Sequence, residues 1–209
     1  MKLIGMLDSP FVRRVAISAK LLDLPFEHES VSVFRHFDRF KAVNPVVKAP
    51  TLVTDDGATL LDSSLIVDYL DHLVEPQRRL LPASTDARVR TLVPVGFALA
   101  AAEKTVQVVY EHALRPADKQ HAPWLERVLS QLEAAYGELE PLVAAADGWF
   151  GGARLLQSDV TVAVAWRFTQ FVAADYPALA RIDPARYPAL AAHSAGAEAL
   201  PAFVETPLA

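Results

Sequence analysis

The chain has 209 residues, 52% hydrophobic and 22% charged, with a net charge of −5 and no cysteine. That apolar content can build one large or two modest cores and excludes a disordered chain. The acidic balance argues against broad nucleic-acid binding. The lack of cysteine excludes disulfides, thiolate metal sites and a protein-thiol nucleophile.

Leu3 to Leu7 reads as a short buried strand. Ser9-Pro10 marks a helix start, with serine at N-cap and proline at N1, where a missing N–H costs nothing. Phe11, Val15, Ser18, Leu21 and Leu22 give that helix one face, which ends near Asp23-Leu24-Pro25. Phe26 to Val33 alternates like a second strand, and charged Arg35 to Ala42 reads as a short irregular helix. Thr51–Thr54 and Ala58–Leu61 flank Asp55-Asp56-Gly57 as a hairpin. Ser63 is expected to cap the next helix, with Leu65, Ile66, Tyr69, Leu70 and Leu73 turned inward.

After a charged, proline-containing linker at 77–85, strand signals largely stop. Asp86 to Leu114 reads as one long helix, in which Pro94 should introduce a kink. Pro123–Ala146, Asp159–Ala174 and Pro184–His193 read as three more, the very apolar second of them at the centre of its domain. The expected class is α/β plus all-α: a β-α-β-α-β-β-α domain over 1–76 and a helical domain over 86–209. Met1 to Asp8 meets an acid too soon for a secretory signal. The longest apolar run, Val93 to Ala102, falls short of the roughly 18 residues of a membrane span. The expectation is a cytoplasmic protein without membrane attachment.

Three pieces of the first third carry the chemistry: Ser9 to Arg14, Asn44 to Val53, and Leu61 to Leu70. Together they describe two helix N-termini and one extended loop, a site suited to a small anionic thiol peptide. Each piece also has a plainer reading: a helix cap at Ser9, a loop entering a strand at Ala49-Pro50, and a cap pair at Asp62-Ser63.

On these pieces, and over nearly its full length, the chain resembles a bacterial glutathione S-transferase. The resemblance implies a thioredoxin-like N-terminal domain followed by a helical bundle, and reduced glutathione as co-substrate. It implies that the Ser9 hydroxyl donates to the bound thiolate. The family uses Tyr, Ser or Cys for this task; this chain has no Cys, and its first tyrosine is Tyr69. Lowering a thiol pKa from about 8.5 to about 6.5 needs roughly 2.7 kcal/mol. A helix terminus supplies ~0.3–2 kcal/mol and a hydrogen bond to a charged group about 1.5–3 kcal/mol, so the two together suffice.

The resemblance further implies that Pro50 is cis and that Ala49 pairs its backbone with the cysteinyl part of glutathione. Lys48 would face the glycyl carboxylate. Asp62 would meet the γ-glutamyl ammonium, and the helix start at Ser63 its carboxylate. Val47 stands where the family has glycine, which would strain Val47 if φ is positive. A carboxylate at Asp8 would raise the thiol pKa, so its side chain is expected to point away. Phe11 is also counted among the glutathione-binding residues; with Leu7, with Val106 and Tyr110 of the long helix and with Arg115 just beyond it, Phe11 is a candidate for the wall of an electrophile pocket, the helix face being otherwise core with a solvated edge.

The implied activity is transfer of an alkyl or aryl group to glutathione, a detoxification chemistry, by a homodimer. Alternatives are a non-catalytic module of the same fold, or a glutathione-dependent isomerase, dehalogenase or peroxidase. In the helical half, Asp159 stands in the family's Ser-x-x-Asp cap, but Leu156 replaces the serine, so Asp159 must cap alone or Ser158 must substitute. Arg13-Arg14 reads as a solvated or ion-paired face. The six histidines lack metal-ligand spacing, no metal is expected, and H-E-x-x-H, G-x-S-x-G, P-loop and G-x-G-x-x-G motifs are absent.

Overall fold

The computed structural model describes residues 1–208 and divides the chain into two units. One is Met1–Thr85 together with the segment from Ala199 onward; the other is Asp86–Glu198.

The first unit runs β1 (Lys2–Ile4), α1 (Pro10–Leu21), β2 (Glu27–Glu29), α2 (Phe37–Val43), β3 (Thr51–Val53), β4 (Thr59–Leu61) and α3 (Ser63–His72). The strand order is β2-β1-β3-β4, with β1 parallel to β2 and the other two pairs antiparallel. A parallel neighbour needs a crossover, and α1 supplies it; antiparallel β3 and β4 need only the Asp55-Asp56-Gly57 turn. Leu3 and Leu52 from the sheet, Val12 and Val15 from α1, and Ile66 and Leu70 from α3 close the core. This is a thioredoxin-like domain.

Three expectations change here. Phe26–Val33 contributes only three paired residues, because β2 is an edge whose partner β1 is equally short. The cap of α3 is Asp62, not Ser63: its Oδ1 accepts from Ser64 N at 2.9 Å, and Ser63 is the first helical residue. The inward stripe is therefore Ser63, Ile66, Val67, Leu70 and Asp71. Leu65 and Leu73, eight positions apart, share a neighbouring face and stay 65% and 45% exposed. Buried Asp71 accepts from Leu80 N and Leu81 N at 2.9 and 2.7 Å, which holds the far side of the linker in this core.

The chain end is the fourth difference. After α7 (Pro188–Glu198), a short helix α8 (Pro201–Val204) groups with the first unit, although the sequence reading placed 86–209 in one helical domain. Arg13 is the reason. It is buried, its Nε donates to Thr206 O at 2.7 Å, its Nη2 donates to Phe203 O at 3.4 Å, and its guanidinium lies over the Phe203 ring. Arg14 is equally buried. Neither is the solvated face that two adjacent arginines suggest.

The second unit is helical: α4 (Thr85–Ala113), α5 (Ala122–Ala144), α6 (Gln157–Ala173) and α7. α4 is assigned helical straight through Pro94. By length and composition α4 could cross a membrane, a test that core helices of water-soluble bundles also pass. Its Thr105 is buried and hydrogen-bonded to Thr169 at 2.7 Å, and Thr169 meets the Tyr136 hydroxyl at 2.6 Å, so one polar relay joins α4, α5 and α6. α6 is buried along its first ten residues, Gln157 to Trp166, as its apolar composition suggests, and its last turns reach the surface at Arg167 and Phe171. The expected Pro184–His193 helix is instead a 3₁₀ turn at Pro184–Arg186 followed by α7. Tyr187 precedes a proline and leaves the α region (φ −133°, ψ 58°), which breaks the run.

At the start of α6, Asp159 caps alone. Its carboxylate accepts from Leu156 N at 2.7 Å and from Phe150 N at 2.9 Å. Leu156 has no oxygen to reciprocate, and the buried Ser158 hydroxyl has no partner among the described residues. Burial pushes the Asp159 carboxyl up to about 6 despite those two donors. His193 Nε2 lies 3.8 Å from the carboxylate, and burial lowers its pKa from the ordinary imidazole value. Trp149 and Phe150 set their rings edge-on to it.

Candidate functional site

Ser9 is the N-cap of α1. Its N–H donates to Met6 O at 3.2 Å and its carbonyl accepts from Arg13 N at 2.9 Å. Its hydroxyl makes no capping hydrogen bond. A half-buried hydroxyl thus stands at the positive end of a twelve-residue helix, uncommitted to that helix. Beside it, burial raises the pKa of Asp8, while the Ser9 N–H and the Arg35 guanidinium oppose the rise. Arg35 Nη2 approaches Met6 Sδ at 3.4 Å.

The second piece is a loop tied from within. Buried Asn44 accepts from Val46 N at 2.9 Å through Oδ1, and its Nδ2 donates to Thr51 Oγ1 at 3.0 Å and to Lys48 O at 3.4 Å. The Thr51 hydroxyl donates to Lys48 O at 2.8 Å. These bonds carry the chain into the Ala49–Pro50 peptide, which is cis. Asn44 was legible only as the first letter of a motif. An asparagine before proline whose amide reaches two residues on is a turn device, and that was the available signal. Asn44→Ala removes an acceptor and two donated bonds from a buried site; chemical denaturation should show a loss of about 1–3 kcal/mol. An unchanged midpoint would mean that Asn44 does not organise the loop.

Val47 has φ +54°, the conformation anticipated as strained for a β-branched residue. Left-handed backbone costs roughly 1–2 kcal/mol per residue. The Val47 side chain packs against the cluster of Ile4, Val31 and Phe40, and that burial offsets the strain.

At the third piece, Asp62 turns the chain with φ +70° and caps α3. Lys48 Nζ lies 3.8 Å from Asp62 Oδ2, which joins the loop to the start of α3. Arg14 Nη1 donates to Ser63 Oγ at 3.0 Å and Ser64 Oγ at 3.2 Å, which joins α1 to the same helix start. Ala49 also lies against the end of β1: a Cβ added at Gly5, where φ is +139°, would meet the Ala49 Cβ at 3.2 Å. Within the first unit these contacts join Lys48 to Asp62, and α1, which Ser9 caps, to Ser63 at the start of α3. Arg14 was missed; only its burial reveals it.

The candidates for an electrophile wall divide between the units. Phe11 is on α1, one residue after its first proline. Leu7 lines, with Lys20, Phe26, His28 and Glu205, a cavity of about 340 Å³ inside the first unit. Val106 and Tyr110 are on α4, partly buried and 42% exposed respectively. Arg115 lies just beyond α4, and its Nε is 3.1 Å from Glu111 Oε2, so its charge is already partnered. No group of three or more His, Asp or Glu side chains able to hold a metal occurs among the described residues.

Residues 3–78 match the family model described as the glutathione S-transferase N-terminal domain. The chain is 30% identical to the probable glutathione S-transferase GSTU6 of Oryza sativa subsp. japonica over 212 residues, covering 92% of this chain and 81% of the relative. It is 30% identical to glutathione S-transferase U6 of Arabidopsis thaliana over 123 residues, a match that covers 53% of this chain and spans about half, 54%, of that relative's length. A crystal structure of a glutathione S-transferase from Methylobacterium radiotolerans, in complex with glutathione sulfonate, superposes with a TM-score of 0.86 at 26% identity, covering 100% of this chain and 95% of that one.

Proposed function

The chain belongs to the glutathione S-transferase family, and on that premise we propose that it is a glutathione-conjugating enzyme whose sulfur-activating residue is Ser9. The observation that carries the reading is the Ser9 hydroxyl, uncommitted to its own helix and placed at the N-terminus of α1. Glutathione lies with its cysteinyl backbone along cis Ala49–Pro50, beside Phe11. Lys48 meets its glycyl carboxylate, Asp62 its ammonium, and Ser63 at the start of α3 its γ-glutamyl carboxylate. That a neighbouring structure of the same fold is in complex with glutathione sulfonate supports glutathione as the ligand.

Ionisation sends the thiol proton to solvent. The Ser9 O–H and the α1 terminus hold the resulting thiolate. The thiolate forms a sulfur–carbon bond to a small hydrophobic electrophile, and a leaving group, where there is one, departs with its electron pair. The enzyme lowers the thiol pKa and sets the two reactants together; it makes no covalent bond itself. Phe11 and Leu7 are the residues of the first unit assigned to the electrophile, in a cytoplasmic homodimer. The partnered state of Arg115 argues for uncharged electrophiles over acidic ones.

Retention on immobilised glutathione tests the reading. The wild-type protein should be retained and eluted by free glutathione, and Asp62→Ala should elute several-fold earlier. A wild-type protein that passes straight through would sink it. Retention without conjugation of a generic aromatic electrophile would favour the non-catalytic module.

A further inference from the structure

The buried Arg14 has no role in the proposed chemistry so far. It is 2% exposed, and its Nη1 donates to the hydroxyl oxygens of both Ser63 and Ser64. A guanidinium has donors only, so both hydroxyls must accept from it. Their own protons are then left to point elsewhere, toward an acceptor. Its Nε has no partner. Burial lowers the Arg14 pKa to about 10, with Asp62 opposing, so it stays charged at neutral pH. A buried cation with incomplete pairing is costly, and a nearby anion relieves the cost. The feature stands at the N-terminus of α3, a ten-residue helix with a positive end, where Ser64 N already donates to the Asp62 cap.

We infer that Arg14 is a positioning residue that makes the start of α3 selective for a free carboxylate on the γ-glutamyl end of the ligand, by orienting the Ser63 and Ser64 hydroxyls outward as donors and adding a buried positive charge behind them. The inference rests on the glutathione reading above. It separates Arg14 from a mere staple between α1 and α3. A staple would support every ligand alike; a charge-orienting residue supports only a ligand that carries the carboxylate.

The probes are glutathione and γ-aminobutyryl-cysteinyl-glycine, which lacks that carboxylate, measured by calorimetry on the full chain. The wild-type protein should prefer glutathione by about a hundredfold, the scale of charge-assisted hydrogen bonds. Arg14→Gln should cut that preference by about tenfold or more, through glutathione alone, with affinity for the truncated probe held within about twofold. Arg14→Lys should keep part of the preference. The bound thiol pKa should not move, because the sulfur is held by Ser9. Equal weakening of both probes, or an undiminished preference, overturns the inference and leaves Arg14 as a staple. Should Arg14→Gln not fold, Ser63→Ala and Arg14→Lys decide: each must lower the preference, or the inference fails. Failure of the wild-type protein to bind either probe overturns the glutathione reading along with it.

Discussion

Ser9→Ala should raise the pKa of bound glutathione by about one to two units, the size of one hydrogen bond to a charged group. Conjugation at pH 6.5 should fall about five- to fiftyfold, and the deficit should shrink as pH rises past the new thiol pKa. The stability readout separates this from a capping role. Loss of a capping serine normally costs about 0.5–2 kcal/mol. The Ser9 side chain makes no capping bond, so the variant's unfolding free energy should stay within about 0.5 kcal/mol of wild type. A bound-thiol absorbance titration alongside denaturant unfolding checks both halves. A large stability loss with an unmoved thiol pKa would reassign Ser9 to folding alone.

The second large effect belongs to the helical unit. Asp159→Ala removes the acceptor of two backbone N–H groups, Leu156 and Phe150, and should cost about 2–5 kcal/mol while leaving glutathione affinity of the folded protein unchanged. The pH dependence follows from the direction of each shift. The folded Asp159 pKa is raised from 3.8 to about 6, so its contribution is complete below about 4 and is lost as pH rises through 6. The folded His193 pKa is lowered from 6.5, so its contribution is complete above that value and is lost as pH falls through the folded pKa. The two oppose each other between pH 4 and 6.5. Asp159→Asn should leave stability falling toward acid in that window, and His193→Gln should leave it falling toward neutrality. Parallel slopes for the two variants would show that the pair does not titrate as its burial dictates. The Asp159→Ala loss itself should be greatest on the acid side of pH 6.

Much of this was readable before any coordinates. Proline at N1 after Ser9 and the Asp-Gly turn at Asp55-Asp56-Gly57 are local signals, and local signals placed α1 and the β3–β4 hairpin. The three site pieces were readable for the same reason: each is a helix start or a pre-proline loop. What failed was long-range. No pattern near Arg13 announces acceptors at Phe203 and Thr206, and no pattern near Arg14 announces Ser63. Two adjacent arginines on one helix read as surface because burial of a charge depends on partners elsewhere in the chain. The cap of α3 was misplaced by one residue because Asp62 and Ser63 are both good caps, and only the backbone turn at Asp62 decides between them. The strain at Val47 was foreseen; the cluster that offsets it was not, since Ile4, Val31 and Phe40 are scattered in sequence.

The clasp on Arg13 has a consequence for the order in which the protein can be made. Its carbonyl acceptors lie 190 and 193 positions downstream, beyond the whole helical unit. The helical unit is contiguous from Asp86 to Glu198 and is whole before they emerge. The unit that carries Ser9 gains this clasp only after the helical unit has been synthesised. A fragment ending at residue 85 would hold every residue assigned to glutathione and still lack the Phe203 and Thr206 carbonyls to which buried Arg13 donates. The unit proposed to bind glutathione is in this sense fastened by a segment that follows the helical unit in sequence.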